Sequence, residues 1–346
     1  MLFNFTSLKE FENHSSVSFL YDKETGLKSV VAIHRGDSKF PSFGATRVFP
    51  YLSEGEALKD ALRLSELMSY KCALAGLKYG GAKGVIIVSN KVKSKNILLK
   101  SYAKKLNLLN GNFITGADVG LDDSDVRMMS KISPYFVGIK SHPVRFTALG
   151  LLYSLEVCLK EVFGTKSLDN RTFAIQGLGR VGEAFLQLIY KNSGRIVATD
   201  LDKSRIKLIN KKYPKVEIVA PQDIYKEQVD VFSPCALAGS INSRSINQLG
   251  CKIILGGANN QLESEEIGKL LYRLGILYAP DYVVNAGGLI SVVDEYEHKS
   301  FSPHRTINRL LTIKQKLNKI IELSRIKKKP MNIIADEMAR EIFNNH

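Results

Sequence analysis

The chain has no cysteine pair at CxxC spacing and no two histidines at HxxxH spacing. The four cysteines, Cys72, Cys158, Cys235 and Cys251, are scattered, so neither a disulfide frame nor a zinc site is expected and no metal is implied. No uninterrupted apolar run is long enough to span a bilayer. The opening segment, MLFNFTSLKEFENHSS, lacks the basic stretch followed by a long apolar one that marks a secretory signal. A soluble, cytoplasmic protein without a membrane partner is therefore expected. Low-complexity tracts are missing too, and with 45% hydrophobic residues the chain has the composition of a folded globular protein. Acidic residues are in deficit, 34 Asp and Glu against 49 Lys and Arg, for a formal charge of +15. Such a surplus raises the question of nucleic acid. The lysines come as short dispersed runs, NKVKSKN, INKKYPK and RIKKKP, with no interleaved aromatics and no nucleic-acid module. They read as a solvated basic surface.

What is present is a two-domain pattern, as 346 residues suggest. SVVAIHRG reads as a strand ending in a turn at Gly36. From Ser53 the period becomes helical, with Ser53 as cap, Glu56 as its capping-box partner and an apolar face from Ala57 to Leu67, predicting a helix that ends near Tyr70. GVIIV then predicts a buried strand, residues 97–109 a basic helix, and GNFITGADVG a strand ending in a polar turn. Thr147 to Phe163 predicts a long amphipathic helix stopped by Gly164. After it the texture becomes strand, glycine turn, helix, strand, the rhythm of a parallel doubly wound sheet. The expected division is thus 1–147 and 148–300, with the helices of 301–346 returning to the first domain.

Two stretches carry chemistry. In FAIQGLGRVGEAFL, Gly177 permits a tight turn, Gly179 lets the backbone approach a pyrophosphate, and Gly182 lets helix pack on strand. The following strand, RIVAT, ends in Asp200, an acid placed to accept from ribose hydroxyls and to repel a 2′-phosphate. NAD is therefore expected ahead of NADP, with Lys203 and Arg205 just beyond Asp200 keeping dual use open. In GLKYGGAKGVIIV, Lys83 stands between paired glycines, read as a turn, and an apolar run. An ammonium buried without a partner is costly. Lys83 is either aimed back at solvent or held in a cleft for proton transfer.

The segments GATRVFPY, DALRLSELMSYKCALAGLKYGGAKGVII, ITGADVG, FAIQGLGRVG, DVFSPCALAGSIN, GGANNQL and GILYAPDYVVNAGG, in that order, resemble the glutamate/leucine/phenylalanine/valine dehydrogenase family, above all its leucine branch. The resemblance implies an α/β fold of two domains with a cleft between them: a substrate and dimerisation domain, and a Rossmann-type NAD-binding doubly wound sheet. It implies reversible, NAD-dependent oxidative deamination of an L-amino acid to a 2-oxo acid and ammonia by a homo-oligomer. Lys71 would bind the α-carboxylate. Lys83 would be the general acid/base, and Asp118 would orient the amino group and relay its proton. Substrate contacts are implied at Phe43, Gly44 and Val292. Cofactor contacts are implied at Thr147, Gly177, Leu178, Gly179, Arg180, Val181, Gly182, Asp200, Ala236, Asn259 and Asn285. Glutamate-specific relatives carry a lysine where this chain has Phe43 and a serine where it has Val292, so an apolar amino acid such as leucine is the expected substrate. An aromatic one, phenylalanine or tryptophan, is the alternative, and a non-catalytic NAD-binding protein associated with nucleic acid is the reading from another class. SHPVRFTALG departs from the leucine branch's usual GNPSPVTAYG, which puts His142 and Arg145 near the expected nicotinamide face. His142 is read as a loop residue.

Overall fold

The computed structural model describes residues 5–36, 39–88, 94–236 and 238–344. Most of the basic run NKVKSKN lies outside the described residues. The chain divides into two compact units, Met1–Ser141 with Val292–Phe301 and His142–Ser291 with Ser302–His346.

The first unit is built on strands β1 (Ser16–Asp22), β2 (Leu27–Ile33) and β3 (Ser42–Phe49), helix α1 (Glu54–Leu74), β4 (Gly80–Ile87), α2 (Lys95–Leu106), β5 (Phe113–Ile114) and α3 (Asp123–Ser130). Its mixed sheet has the order β1-β2-β4-β3-β5, with β3 parallel to both β4 and β5. Both faces are covered. Val30, Ala32 and Val85 pack on Ala57, Leu58, Ala61 and Leu62 of α1, while Val31, Ile33, Ala82 and Ile86 pack on Leu98, Leu99 and Tyr102 of α2. Burial on both sides explains why β2 and β4 read as near-continuous apolar runs rather than alternating ones.

Helix α1 begins where its cap predicts, the Ser53 hydroxyl accepting from Glu56 N at 3.1 Å. It runs past Tyr70 to Leu74, because Cys72, Ala73 and Leu74 are still buried, and stops at Gly76, whose φ is +69°. Lys71 therefore sits in its last turn. The paired glycines ahead of Lys83 are not a turn, since Gly80 and Gly81 already belong to β4. A Cβ on Gly80 would lie 1.5 Å from the Arg35 carbonyl oxygen, and one on Gly81 2.0 Å from the Ser69 nitrogen. Glycine is required there because other backbone presses on the strand, not because the chain reverses.

The second unit contains α4 (Pro143–Phe163), β6 (Thr172–Gln176), α5 (Arg180–Ile189), β7 (Arg195–Thr199), α6 (Lys203–Lys212), β8 (Val216–Ile218), β9 (Val231–Pro234), β10 (Ile253–Ile254), α7 (Glu265–Arg273), β11 (Leu277–Tyr278) and α8 (Asp281–Val284). Helix α9 (Gly287–His298) contributes to both units. Helices α10 (Pro303–Lys327) and α11 (Met331–Asn344) close the chain. All pairings of the six-stranded sheet are parallel and its order is β11-β10-β9-β6-β7-β8, the doubly wound arrangement with its switch point between β6 and β9. Helix α4 starts four residues before Thr147, with Pro143 at its first position, where the missing N–H costs nothing. It ends at Gly164, in the left-handed region.

The C-terminal helices correct the expected division. Residues 302–346 belong with the parallel sheet, and only 292–301 return to the first unit. Polar contacts hold α10 to α4: Lys314 Nζ reaches Glu156 at 2.5 Å and lies 4.4 Å from the Tyr153 ring, and Arg325 pairs with Glu161 at 3.5 Å. Among the described residues no helix is long and apolar enough to cross a membrane, and no group of three or more His, Cys, Asp or Glu side chains is placed to hold a metal.

Candidate active site

In the first unit the period-two geometry of a strand sets the chemistry. On β4, Gly81, Lys83 and Val85 face α1. On β3, Phe43, Ala45 and Arg47 lie beside them in register, Phe43 opposite Gly81 and Arg47 opposite Val85. Thr46, between them, points the other way and bonds Tyr102 and Thr115 at 2.9 and 2.8 Å. After β5 the chain runs on beside β3, Thr46 N donating to the Gly116 carbonyl at 3.0 Å and Val48 N to the Val119 carbonyl at 2.8 Å. This sets Asp118 next to Arg47.

Lys83 is 5% exposed and donates its ammonium to Asp118 Oδ2. Arg47 Nε donates to the same oxygen at 3.1 Å, and Arg47 Nη1 to Asp60 Oδ2 at 2.9 Å. Asp60 also accepts from the Tyr51 hydroxyl at 2.6 Å and from Arg63 at 2.8 Å. Burial holds Lys83 below the ordinary lysine range, the Asp118 charge working against it and the Arg47 charge with it. Burial pushes the Asp118 carboxyl up, but the charges of Lys83 and Arg47 outweigh it and hold Asp118 well below the usual carboxylate range. A buried amine of depressed pKa beside a fixed carboxylate is suited to proton transfer near neutrality. Of the two readings of Lys83, the geometry is that of the buried, paired amine. Arg47, Asp60 and Tyr51 carry no local sequence signal of a place in this cluster. Arg47 and Tyr51 lie inside the segment GATRVFPY, but nothing local signals that Arg47 meets a carboxylate 71 residues away.

The other first-unit positions are placed as follows. Phe43 is fully buried, its ring 4.6 Å from Tyr79 and 5.2 Å from Tyr296. Gly44 has a packing reason to be glycine, because a Cβ there would lie 1.8 Å from the Ala82 carbonyl oxygen. Val292 is half-buried on α9, with its methyl 3.6 Å from where a Cβ on Gly138 would stand. Lys71 is half-buried at the end of α1.

In the second unit the glycine turn follows the switch-point strand β6. Gly177 has φ +96° and lies against Ala236, which follows β9. A Cβ on Gly182 would lie 2.0 Å from the Gly177 carbonyl oxygen, the close helix–strand approach expected of the third glycine. At Gly179, the N-cap of α5, a Cβ would meet nothing nearer than Arg205 at 3.6 Å, so the backbone is open to a bulky neighbour. The Asp200 carboxylate accepts from Leu178 N at 2.7 Å and from Asp202 N at 2.8 Å, with Arg205 3.7 Å away. Gly177, Gly179, Asp200, Arg205, Cys235 and Ala236 line a cavity of about 440 Å³. Arg180 is exposed and Val181 half-buried on the first turn of α5. Asn285 is buried and donates to Asn259 Oδ1 at 2.9 Å, while its own Oδ1 has no partner among the described residues. Thr147 bonds the Pro143 carbonyl at 3.0 Å, its hydroxyl 2.6 Å from where a Cβ on Gly288 would stand. A dinucleotide fits this set: an open glycine turn at a helix N-terminus for phosphates, an acid for a ribose, and an orphaned amide oxygen for a carboxamide donor. His142 is exposed with φ +47°, and Arg145 is exposed on the helix that follows.

Residues 12–134 match the family described as Glu/Leu/Phe/Val dehydrogenase, dimerisation domain, and residues 198–323 match Glutamate/Leucine/Phenylalanine/Valine dehydrogenase. The chain is 36% identical to leucine dehydrogenase of Geobacillus stearothermophilus over 96% of its own length and 91% of that protein's. It is 40% identical to L-tryptophan dehydrogenase of Nostoc punctiforme over 89% of each. The crystal structure of L-tryptophan dehydrogenase from Nostoc punctiforme superposes with a TM-score of 0.80 at 37% identity, covering 96% of both chains. Family models, relatives and fold agree: this chain belongs to the glutamate/leucine/phenylalanine/valine dehydrogenase family of NAD(P)-dependent oxidoreductases and is an amino-acid dehydrogenase acting on a CH–NH2 donor.

Proposed function

We propose that this enzyme deaminates an apolar L-amino acid to its 2-oxo acid and ammonia, reversibly and with NAD, and that Lys83 carries the proton. The observation behind this reading is the buried Lys83–Asp118 pair beside Arg47. When bound, the nicotinamide supplies the two-electron acceptor for the α-hydrogen. The substrate's α-carboxylate is held by Lys71, and its amino group, uncharged once Lys83 has taken and released its extra proton, donates to Asp118. Once the α-hydrogen has left as hydride, the neutral Lys83 amine takes a proton from water as the water oxygen bonds to the α-carbon. Lys83 then returns that proton to the amino nitrogen and, neutral again, takes the hydroxyl proton as the C=O bond forms and the C–N bond breaks, so that ammonia leaves with the 2-oxo acid. Thr147, Gly177 to Gly182, Asp200, Ala236, Asn259 and Asn285 are the residues proposed to hold the dinucleotide. Asp200 supports NAD over NADP because a carboxylate repels a 2′-phosphate.

For the substrate side chain, Phe43 and Val292 offer no cation to a second carboxylate, so leucine and other branched-chain amino acids are the first choice. A second reading, an aromatic amino acid, draws support from the Phe43, Tyr79 and Tyr296 rings, which offer edge and face contacts to a planar side chain. The match to a dimerisation-domain family supports assembly with copies of itself. The test is a panel of leucine, valine, isoleucine, phenylalanine, tryptophan and glutamate assayed for NADH formation, with the reverse reaction run on the matching 2-oxo acids and ammonia. Turnover of glutamate as efficient as that of the best apolar amino acid would refute the proposal.

A further inference from the structure

The Lys83–Asp118 pair does not stand alone, and what lies behind it bears on which group moves the proton. Asp118 Oδ2 accepts from two cations, Lys83 on β4 and Arg47 on β3. The guanidinium is itself bracketed by two carboxylates, Nε on Asp118 and Nη1 on Asp60 of α1. Asp60 is pinned in turn, accepting from Arg47, Tyr51 and Arg63. The side chains of Arg47, Asp60 and Asp118 are only 19%, 15% and 14% exposed, so the arrangement is shielded from water. We propose that Arg47, held by Asp60, is a positioning residue that fixes Asp118 as a stationary anion, so that Asp118 aims the substrate's amino group and Lys83 alone carries the proton. This rests on the proposed deamination chemistry, and it replaces the relay through Asp118 that the resemblance implies.

Charge balance supports the assignment. The charged groups around Lys83 are Asp118, Arg47 and Asp60, with Arg63 and Tyr51 behind Asp60. With Lys83 protonated, Lys83, Arg47 and Arg63 oppose the two carboxylates. With Lys83 neutral, two cations face two anions. Lys83 is thus the one member that releases its proton without leaving a buried charge unpaired, whereas protonating Asp118 would strip both Lys83 and Arg47 of a counter-charge. Geometry adds that a planar guanidinium presents two donors at a fixed angle to two separate carboxylates, which the single ammonium of lysine does not reproduce.

The test is the pH dependence of deamination, from pH 7 to 11, of the full-length enzyme on its best amino acid, for wild type, Arg47→Met, Arg47→Lys, Asp60→Asn and Lys83→Ala, with melting curves to confirm folding. Arg47→Met should lower kcat about 10²-fold through misplacement of Asp118. It should also move the alkaline-rising limb upward by about one pH unit, because a cation beside Lys83 is gone. Arg47→Lys should restore the position of the limb while leaving kcat low. Asp60→Asn should move the limb in the opposite direction, because an anion near Lys83 is lost. The proposal is overturned if folded Arg47→Met keeps the wild-type kcat and limb, or if Arg47→Lys restores kcat in full. Should Arg47→Met fail to fold, Asp60→Asn and Arg47→Lys decide by the same limb and kcat criteria. Near-normal turnover by Lys83→Ala would instead remove the underlying reading, independently of Arg47.

Discussion

Replacing Asp118 with asparagine keeps the shape of the side chain and deletes its charge. Arg47 retains Asp60 at 2.9 Å, so the cation left without a counter-charge is Lys83, only 5% exposed. Breaking a buried pair by removing one partner costs about 3–5 kcal/mol. For a unit of roughly 150 residues each kcal/mol moves the melting temperature by about 2–4 °C, so at pH 7 the first unit should melt about 6–20 °C earlier. Lys83 can relieve the cost by shedding its proton, and this fixes the sign of the pH dependence. Its folded pKa lies below the ordinary value already, and loss of the carboxylate that raises it lowers it further. Between that pKa and the ordinary value near ~10.4, the unfolded chain binds more protons than the folded one, so the variant gains stability as pH rises and its deficit against wild type shrinks. Turnover should fall about 10²-fold or more at every pH, because the amino group exchanges an anionic acceptor for a neutral amide whatever the charge on Lys83. Scanning calorimetry at pH 7 and pH 9.5 beside steady-state kinetics makes the measurement. An unchanged melting temperature at pH 7, or a deficit that grows with pH, would refute the reasoning.

Lys71→Ala should chiefly raise the Michaelis constant for the amino acid, because a carboxylate clamp acts in both ground and transition states. Unchanged KM values would show that Lys71 does not hold the carboxylate. Asp200→Ser should narrow the preference for NAD over NADP by removing the repulsion of a 2′-phosphate. Because Asp200 also holds Leu178 N, the variant should bind NAD more weakly as well, and ratios of kcat/KM for the two cofactors check both effects. Phe43→Lys with Val292→Ser should raise glutamate turnover relative to leucine at a cost in stability, since the new ammonium must fit between the Tyr79 and Tyr296 rings. A folded double variant with the wild-type ratio would take both residues out of the pocket.

Where a residue's identity answers to its own backbone or nearest neighbours in sequence, the sequence alone was sufficient. The cap at Ser53, the stop at Gly164 and the turn at Gly177 are local solutions to orphan N–H groups and to positive φ, and they stand where the letters place them. The doubly wound sheet was legible for the same reason, as a succession of strands, glycine turn and helices. Positions that answer to distant chain were not legible. Gly80 and Gly81 look like a turn but lie in a strand, since what excludes a side chain is backbone from Arg35 and Ser69. The strand expected over GNFITGADVG shrinks to Phe113–Ile114, because beyond it the chain pairs with β3 only through the Thr46–Ala117 bridge and single hydrogen bonds. The sequence predicts helices over 301–346 without showing what they pack against, and only the folded chain sets α10 on α4. The Lys83–Asp118 pair could be proposed from motifs, yet the Arg47–Asp60 support could not. Its members are 13 residues apart and Arg47 reaches Asp118 71 residues along the chain, and their meeting depends on the register of β3 beside β4 and on the path of the chain after β5. Spacing along a chain records local geometry, whereas the electrostatic surroundings of a buried lysine are made by pairing, and pairing exists only in the tertiary structure.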